Sequence, residues 1–509
     1  MVVVEVSGTR LALEDVEAVA RDGARVSLPP AAISRIRRAR RAVETRLASG
    51  ETIYGLNTGF GDLKNVRIPR ARLRALQVNL VRSHAAGVGE PFPPDVVRAI
   101  LLLRANSFAK GNSGVTLGLV RQILRVANAG ITPVVPSQGS VGSSGDLAPL
   151  AHVALALIGE GDVLFRGRVT SARRALRAAG IAPYALREKE GISLVNGTQA
   201  MTADGVLALL DAERVLRAAA VAGAMALECT DSSLAPFDAR IHASRPHAGA
   251  SAVAAGVARM TRGSEQVRGH EACDKVQDPY STRAMPQVLG ASLDAMRYVR
   301  RVLEVEVNSA TDNPLVFPAD GAVLSGGNFH GQPVALAMDF LAIATAEVAS
   351  LLERTVARLV SGDEGGLPRF LAREPGLHSG WMIAQYTAAA LVSENKSLAH
   401  PASVDSIPTS AGQEDHNSMG TIAARKARAV VDNATQVAGI ALLLAAEGLE
   451  LHGGRPGDGS AGALAAVRAR VRPLKRDRPL APDLEAGSAL VRSGAAVAAA
   501  EAAGRRLGF

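Results

Sequence analysis

Apolar residues recur at helical spacing over four long stretches, roughly 197–228, 285–309, 331–360 and 419–450. At ~1.5 Å per residue each would exceed ~35 Å as a helix. Shorter helical patterns precede them. A basic one runs from Ala31 to Ala48, Pro94-Asp95 opens another toward Ala109, Thr116 to Ala129 forms a third, and an apolar run spans Leu147 to Ile158. Strand signals are few and concentrate in the first residues, Met-Val-Val-Val-Glu-Val. The pattern predicts a mostly α protein, a long antiparallel helical bundle with a smaller mixed N-terminal region. We divide it into an N-terminal region, 1–110, and a helical bundle domain, 111–509. Alanine-rich faces offer modest apolar area, so the long helices are expected to bundle between subunits. Gly453 to Gly462 reads as a Gly/Asp/Ser-rich surface loop and the Ala/Arg-rich C-terminal stretch as a helix.

Composition narrows the class. The 509 residues are 48% hydrophobic and 21% charged, able to bury a large core. The net charge is +9, but the arginines are scattered through helical segments such as Arg35 to Arg46, with little aromatic interleaving. That distribution argues against nucleic acid and for a modest attraction to carboxylate substrates. Two cysteines, Cys229 and Cys273, make no disulfide framework. The start has no signal-peptide pattern, and the longest apolar runs, such as Ile440 to Ala446, are too short to span a bilayer. A cytoplasmic protein without membrane partner is expected. The 10 histidines show no metal-binding pair spacing, so no metal is expected.

Between the helical patterns lie polar loops, and residues 139–152, Gly-Ser-Val-Gly-Ser-Ser-Gly-Asp-Leu-Ala-Pro-Leu-Ala-His, carry the strongest signal. The Gly145 nitrogen can attack the carbonyl of Ser143 with loss of water. Loss of the Ser144 hydroxyl as a second water then leaves a 4-methylidene-imidazol-5-one, an electrophile that no ordinary side chain provides. Glycine suits the third place, since without a Cβ its nitrogen can come close and its backbone can kink. The spacing excludes a P-loop, a dinucleotide loop and a nucleophile elbow. Asp146 also fits the first turn of a helix over the following apolar run.

Further strings accompany this one: Tyr-Gly-Leu-Asn-Thr-Gly-Phe-Gly at 54–61, Ser-His-Ala-Ala-Gly-Val-Gly at 83–89 and Val-Asn-Gly-Thr-Gln at 195–199. Asp-Lys-Val-Gln-Asp-Pro-Tyr-Ser follows at 274–281, Gly-Gly-Asn-Phe-His at 326–330 and Gln-Glu-Asp-His at 413–416. Together they resemble the aromatic amino-acid ammonia-lyase family from Tyr54 to Pro482. The resemblance implies a mostly helical homotetramer with active sites shared between subunits, and the self-made imidazolone as its only prosthetic group, with no PLP. It implies Tyr54 as the base that takes the β-proton and Tyr280 as the group that orders the amine near the imidazolone. Arg283 would grip the substrate carboxylate with two charge-assisted bonds. Asn196 and Gln277 would hydrogen-bond the imidazolone and the substrate, and Phe329 would pack nearby.

His84 and Glu414 bear on substrate choice. An imidazole and a carboxylate suit a ring with two nitrogens, whereas a phenyl ring would leave them unpaired at ~1–3 kcal/mol. The resemblance therefore implies elimination of ammonia from L-histidine to give trans-urocanate. A tyrosine or phenylalanine lyase, or a 2,3-aminomutase with the same prosthetic group, is the alternative. Ser143 stands where alanine is usual, Gly412 where asparagine is common, and Asn417 where a valine is common. The last two would make the ring pocket more polar or roomier. A helical lyase of the fumarase and aspartase class lacks its Gly-Ser-Ser-x-Met-Pro-x-Lys-x-Asn signature here.

Overall fold

The computed structural model describes residues 2–49, 52–53, 55–59, 61–267 and 276–509. Nineteen α-helices and four small sheets of two or three strands lie among them. The four longest helices are α1 (Gln199–Cys229), α2 (Met285–Glu306), α3 (Gln332–Ser361) and α4 (Gly420–His452), each starting within two residues of its predicted pattern. The Pro94 pattern is the helix Pro94–Lys110, stopped by Gly111 at φ 90°, and Thr116 caps Leu117–Asn128 by accepting from the Leu119 N–H. Two of the long helices, α3 and α4, are apolar and long enough by composition to cross a membrane. Their most apolar windows are 67% and 78% buried inside the protein, the position of core helices.

The described residues group into two compact units, each made of three stretches, a division that does not follow the 1–110 and 111–509 one. The first contains 1–207, 300–339 and 401–425, the second 208–299, 340–400 and 426–509. In the first unit, Val3–Glu5 pairs in parallel with Arg25–Ser27. The helix Pro94–Lys110 is buried from Ala99 to Ala109 on every face. Such a helix accepts polar residues only with partners, and Asn106 meets that condition by donating to the Val307 carbonyl at 2.8 Å.

In the second unit, Arg428 of α4 lies 4.0 Å from Asp211 of α1, and Gly448 packs on Cys229. Early residues meet early and late meet late, so α1 and α4 run parallel rather than antiparallel. The intervening residues 230–419 are long enough to return the chain to the same end. The Gly453–Gly462 loop ends sooner than expected: Asp458–Arg468 is a helix with Gly459 and Ser460 buried. A Cβ on Gly462 would lie 2.4 Å from the Ala499 carbonyl oxygen. The small residues there serve helix packing, not a turn.

Candidate active site

Residues 139–146 are pinned from two sides within the first unit. Gly197 N–H donates to the Ser144 carbonyl at 3.1 Å, Asp146 N–H donates to the Gly197 carbonyl at 2.7 Å, and Met419 N–H donates to the Val141 carbonyl at 2.9 Å. Gly145 sits at φ 78°, and a Cβ there would lie 2.1 Å from the Gly197 oxygen. No other residue fits. Ser143 is buried and Ser144 half-buried.

Asp146 is the knot of this arrangement. It precedes the helix Leu147–Leu157 as its N-cap but makes no cap hydrogen bond to it. Its Oδ2 accepts instead from the N–H groups of Ala200 at 2.8 Å and Met201 at 2.9 Å, the start of α1. Its Oδ1 accepts from Ser140 Oγ at 3.2 Å and from Thr421 Oγ1 at the start of α4. One carboxylate thus ties the loop to two helix N-termini. Burial raises its pKa to about 6 against the pull of those four donors. Burial, with the Asp146 charge added, also raises the Glu306 carboxyl, which accepts from Thr198 Oγ1.

Ser143, Ser144, Asn196, Phe329 and Glu414 line one cavity of about 570 Å³, together with Asn313, His330, His416 and Asn417. Asn196 Nδ2 donates to the Asn313 carbonyl at 3.0 Å, and the Asn196 carbonyl accepts from Arg104. The fully buried Arg104 has its pKa lowered to about 10 by burial, opposed by the charges of Asp312 and Asp146. Beneath Asn313, Lys189 Nζ and Ser193 Oγ meet Asp312 Oδ2 at 3.1 and 2.7 Å. Ser144 Oγ donates to Glu414 Oε1 at 3.4 Å, and Thr409 Oγ1 donates to Glu414 Oε2 at 2.7 Å. His84 ends the helix Leu73–His84, half-buried, with Ser83 Oγ 3.1 Å from its Nδ1. Burial lowers its pKa, opposed by a hydrogen bond to the Leu80 backbone and by the Glu414 charge, so its surroundings favour the neutral ring.

Gln277, Tyr280 and Arg283 line a different cavity, about 990 Å³, in the second unit. The Arg283 guanidinium lies over the Tyr280 ring at 4.4 Å, and its Nε donates to the Asp278 carbonyl at 2.9 Å. Asp278 in turn accepts from Ser233 N–H at 2.8 Å. Tyr280 is 71% exposed and Val276 91%. Tyr54 lies outside the described residues, as do Asp274 and Lys275. Reading the sequence alone misses Thr409, Arg104, Asn313 and the inter-helix reach of Asp146. None has a local pattern that signals it, because each partner lies far along the chain or in an irregular turn.

Residues 11–472 match the family described as aromatic amino acid lyase. Over 502 residues the chain is 52% identical to a histidine ammonia-lyase of Gloeobacter violaceus, covering 98% of each chain. A histidine ammonia-lyase of Anaeromyxobacter sp. (strain K) is 54% identical over 497 residues, 96% of this chain and 98% of that one. Among solved structures, histidine ammonia-lyase from Trypanosoma cruzi superposes with a TM-score of 0.91 at 41% identity, covering 99% of this chain and 95% of that one. A tyrosine aminomutase from Streptomyces globisporus gives 0.94 at 38% identity, with 99% of both chains covered.

Proposed function

The chain belongs to the aromatic amino acid lyase family, and from that premise we propose that it eliminates ammonia from L-histidine, without oxidation, to give trans-urocanate. One observation carries this reading: Ser144 Oγ and Glu414 Oε1 stand 3.4 Å apart in one cavity. The hydroxyl whose loss makes an electrophile faces a carboxylate suited to an imidazole N–H. The names of the relatives support the same substrate.

The residues fit the self-made imidazolone. Closure requires the Gly145 nitrogen to reach the Ser143 carbonyl, and the left-handed Gly145, with no room for a Cβ, supplies that bend. The finished group supplies an electrophilic carbon for the substrate's amino nitrogen. The remaining work falls to this chain's side chains. Arg283 forks onto the substrate carboxylate, while Gln277 and Tyr280 orient the amine. Tyr54 takes the β-proton. Asn196 donates toward the imidazolone oxygen and Phe329 packs beside it. His84, its neutral ring favoured by partial burial, and Glu414 hold the two nitrogens of the substrate ring.

Ser144 lines a cavity of the first unit, and Gln277, Tyr280 and Arg283 line one of the second; that the working site draws the two sets from different copies is what the family resemblance implies. The reading is a homotetramer with shared sites, acting in the cytoplasm. The tyrosine or phenylalanine alternative rests on Gly412 and Asn417, which would make the ring pocket more polar or roomier; the Asn417 amide nitrogen is already engaged by the Ile407 carbonyl and Thr409, which weakens the part that Asn417 plays. An aminomutase that re-adds ammonia at Cβ would use the same residues.

Purified enzyme offered L-histidine, L-tyrosine and L-phenylalanine separately, with product followed in the ultraviolet, tests the reading. Urocanate from histidine alone is the expected result. Coumarate or cinnamate in its place, or a β-amino acid product, would overturn the substrate or the reaction.

A further inference from the structure

We infer that Thr409, held by Asn417, is a positioning residue for Glu414 and so sets how tightly the substrate ring is bound. The inference rests on the assignment of Glu414 to the substrate imidazole. Glu414 stands just after an unusual turn. Ser410, Ala411 and Gly412 follow one another at φ 50°, 51° and 84°, in the left-handed region that the first two favour little. The backbone closes this turn at one pair: Thr409 N–H donates to the Glu414 carbonyl at 2.9 Å, and Glu414 N–H returns to the Thr409 carbonyl at 3.3 Å. Strained turns persist where the surroundings over-determine them.

The side chains supply that determination. Asn417, fully buried, directs its Nδ2 at the Ile407 carbonyl. A carbonyl can only accept, so this contact orients the amide. The second Nδ2 hydrogen then points at Thr409 Oγ1, 3.3 Å away. With that lone pair occupied, the Thr409 hydroxyl hydrogen is directed to Glu414 Oε2 at 2.7 Å. The two Glu414 oxygens therefore have separate duties. Oε2 is held from behind by the chain Asn417, Thr409, and Oε1 faces the cavity and Ser144. A carboxylate held this way loses little freedom when it meets an imidazole N–H. The contact to the ring exists in the bound substrate as well as in the transition state, so loosening it acts on binding more than on turnover.

Thr409→Val removes the hydroxyl at nearly constant shape, and Thr409→Ser keeps it. The expected result on L-histidine is a KM about tenfold higher for Thr409→Val with kcat within threefold of wild type. Thr409→Ser should stay within twofold on both. Asn417→Val should raise KM about threefold, and the double variant should be no worse than Thr409→Val, because both act through one hydroxyl. A crystal structure of Thr409→Val provides a readout independent of any substrate, with the Glu414 carboxylate expected to leave its place. An unchanged KM, a fall in kcat alone, Thr409→Ser behaving like Thr409→Val, additive losses, or a Glu414 carboxylate still in place would each overturn the inference. Should Thr409→Val not fold, the KM of Asn417→Val decides alone. A wild-type enzyme silent on L-histidine would instead defeat the proposed function, and the crystallographic comparison would still judge the positioning claim.

Discussion

The two regions proposed to carry the chemistry are built in opposite ways. Around Ser144, many polar atoms have partners inside the same unit, although the buried Gln199 Oε1 and Asn417 Oδ1 have none among the described residues. Asp146 alone accepts from four donors, Asn196 and Ser418 each bind a distant segment, and Thr409 and Asn417 brace the loop 407–417 from within. Around Arg283 the helix is a single turn, Tyr280–Arg283, and Tyr280 is mostly exposed. Arg283 is kept by one carbonyl and the face of one ring. An electrophile formed from backbone needs a frame that forces atoms together, hence the dense first region. A group proposed to grip a substrate carboxylate needs donors to spare, and among the described residues one of the five Arg283 guanidinium N–H groups is engaged, by the Asp278 carbonyl. The first region is closed by long-range contacts, while the second leaves Tyr280 and Val276 open on its surface.

The largest effect should come from breaking each region in a different chain. Ser144→Ala should lower turnover by ~10³-fold or more while leaving thermal stability near wild type, since it removes only the hydroxyl needed for the electrophile. Arg283→Met should cost ~10–100-fold in kcat/KM, the loss of charge-assisted bonds to a carboxylate. Coexpressed, the two impaired chains should recover activity above either parent, roughly a quarter of wild type with random mixing in a symmetric oligomer. Recovery requires that one copy supply residue 144 and another residue 283. Mixed assemblies that remain as inactive as their parents would mean that each chain carries its own complete site.

Glu414→Gln sharpens the same contrast at smaller scale. It keeps size but turns one acceptor into a donor, so kcat/KM on L-histidine should fall ~10–100-fold. The imidazolone absorbance should be unchanged, because the frame around Gly145 does not depend on this carboxylate. A variant with full activity on histidine would remove the argument for the imidazole.

How much of this was legible beforehand follows from the range of each interaction. Helix limits were, because Pro94, Thr116 and Gly111 act within one turn of their own position. The triad could be singled out as a candidate, because the proposed cyclisation involves three consecutive residues. Asp146 was read as serving the helix it begins, whereas its side chain serves the start of α1, some 54 residues on. The glycines at 459 and 462 look like loop residues until the helices they touch are in place. Thr409 has neither charge nor periodicity to mark it. The parallel course of α1 and α4 depends on the whole path of the chain, which no window of sequence contains.

The smallest effect tests what holds the first region together. The Asp146 carboxyl titrates near 6 in the folded chain, against 3.8 ordinarily, chiefly because it is buried. A raised folded pKa means that the fold binds the proton more tightly than the unfolded chain does. The stability this contributes is complete below about pH 4 and disappears as pH rises through 6, up to ~3 kcal/mol across the window. Asp146→Asn should behave like the protonated acid: its Oδ1 can accept from the Ala200 and Met201 N–H groups, and its amide can donate toward Ser140 and Thr421. Denaturant unfolding at pH 4, 5, 6 and 7 should therefore show the wild type losing stability relative to the variant between pH 4 and 6. Removing the charge also relieves Glu306, whose carboxyl the Asp146 charge helps to raise, so the difference reports the pair together. The same substitution should leave the Arg283 region untouched, and Arg283→Met should leave the pH dependence of stability as it is. Parallel wild-type and Asp146→Asn curves would mean that the four donors offset burial and leave this carboxyl at its ordinary pKa, so that hydrogen bonding shapes the frame around the triad as much as burial does.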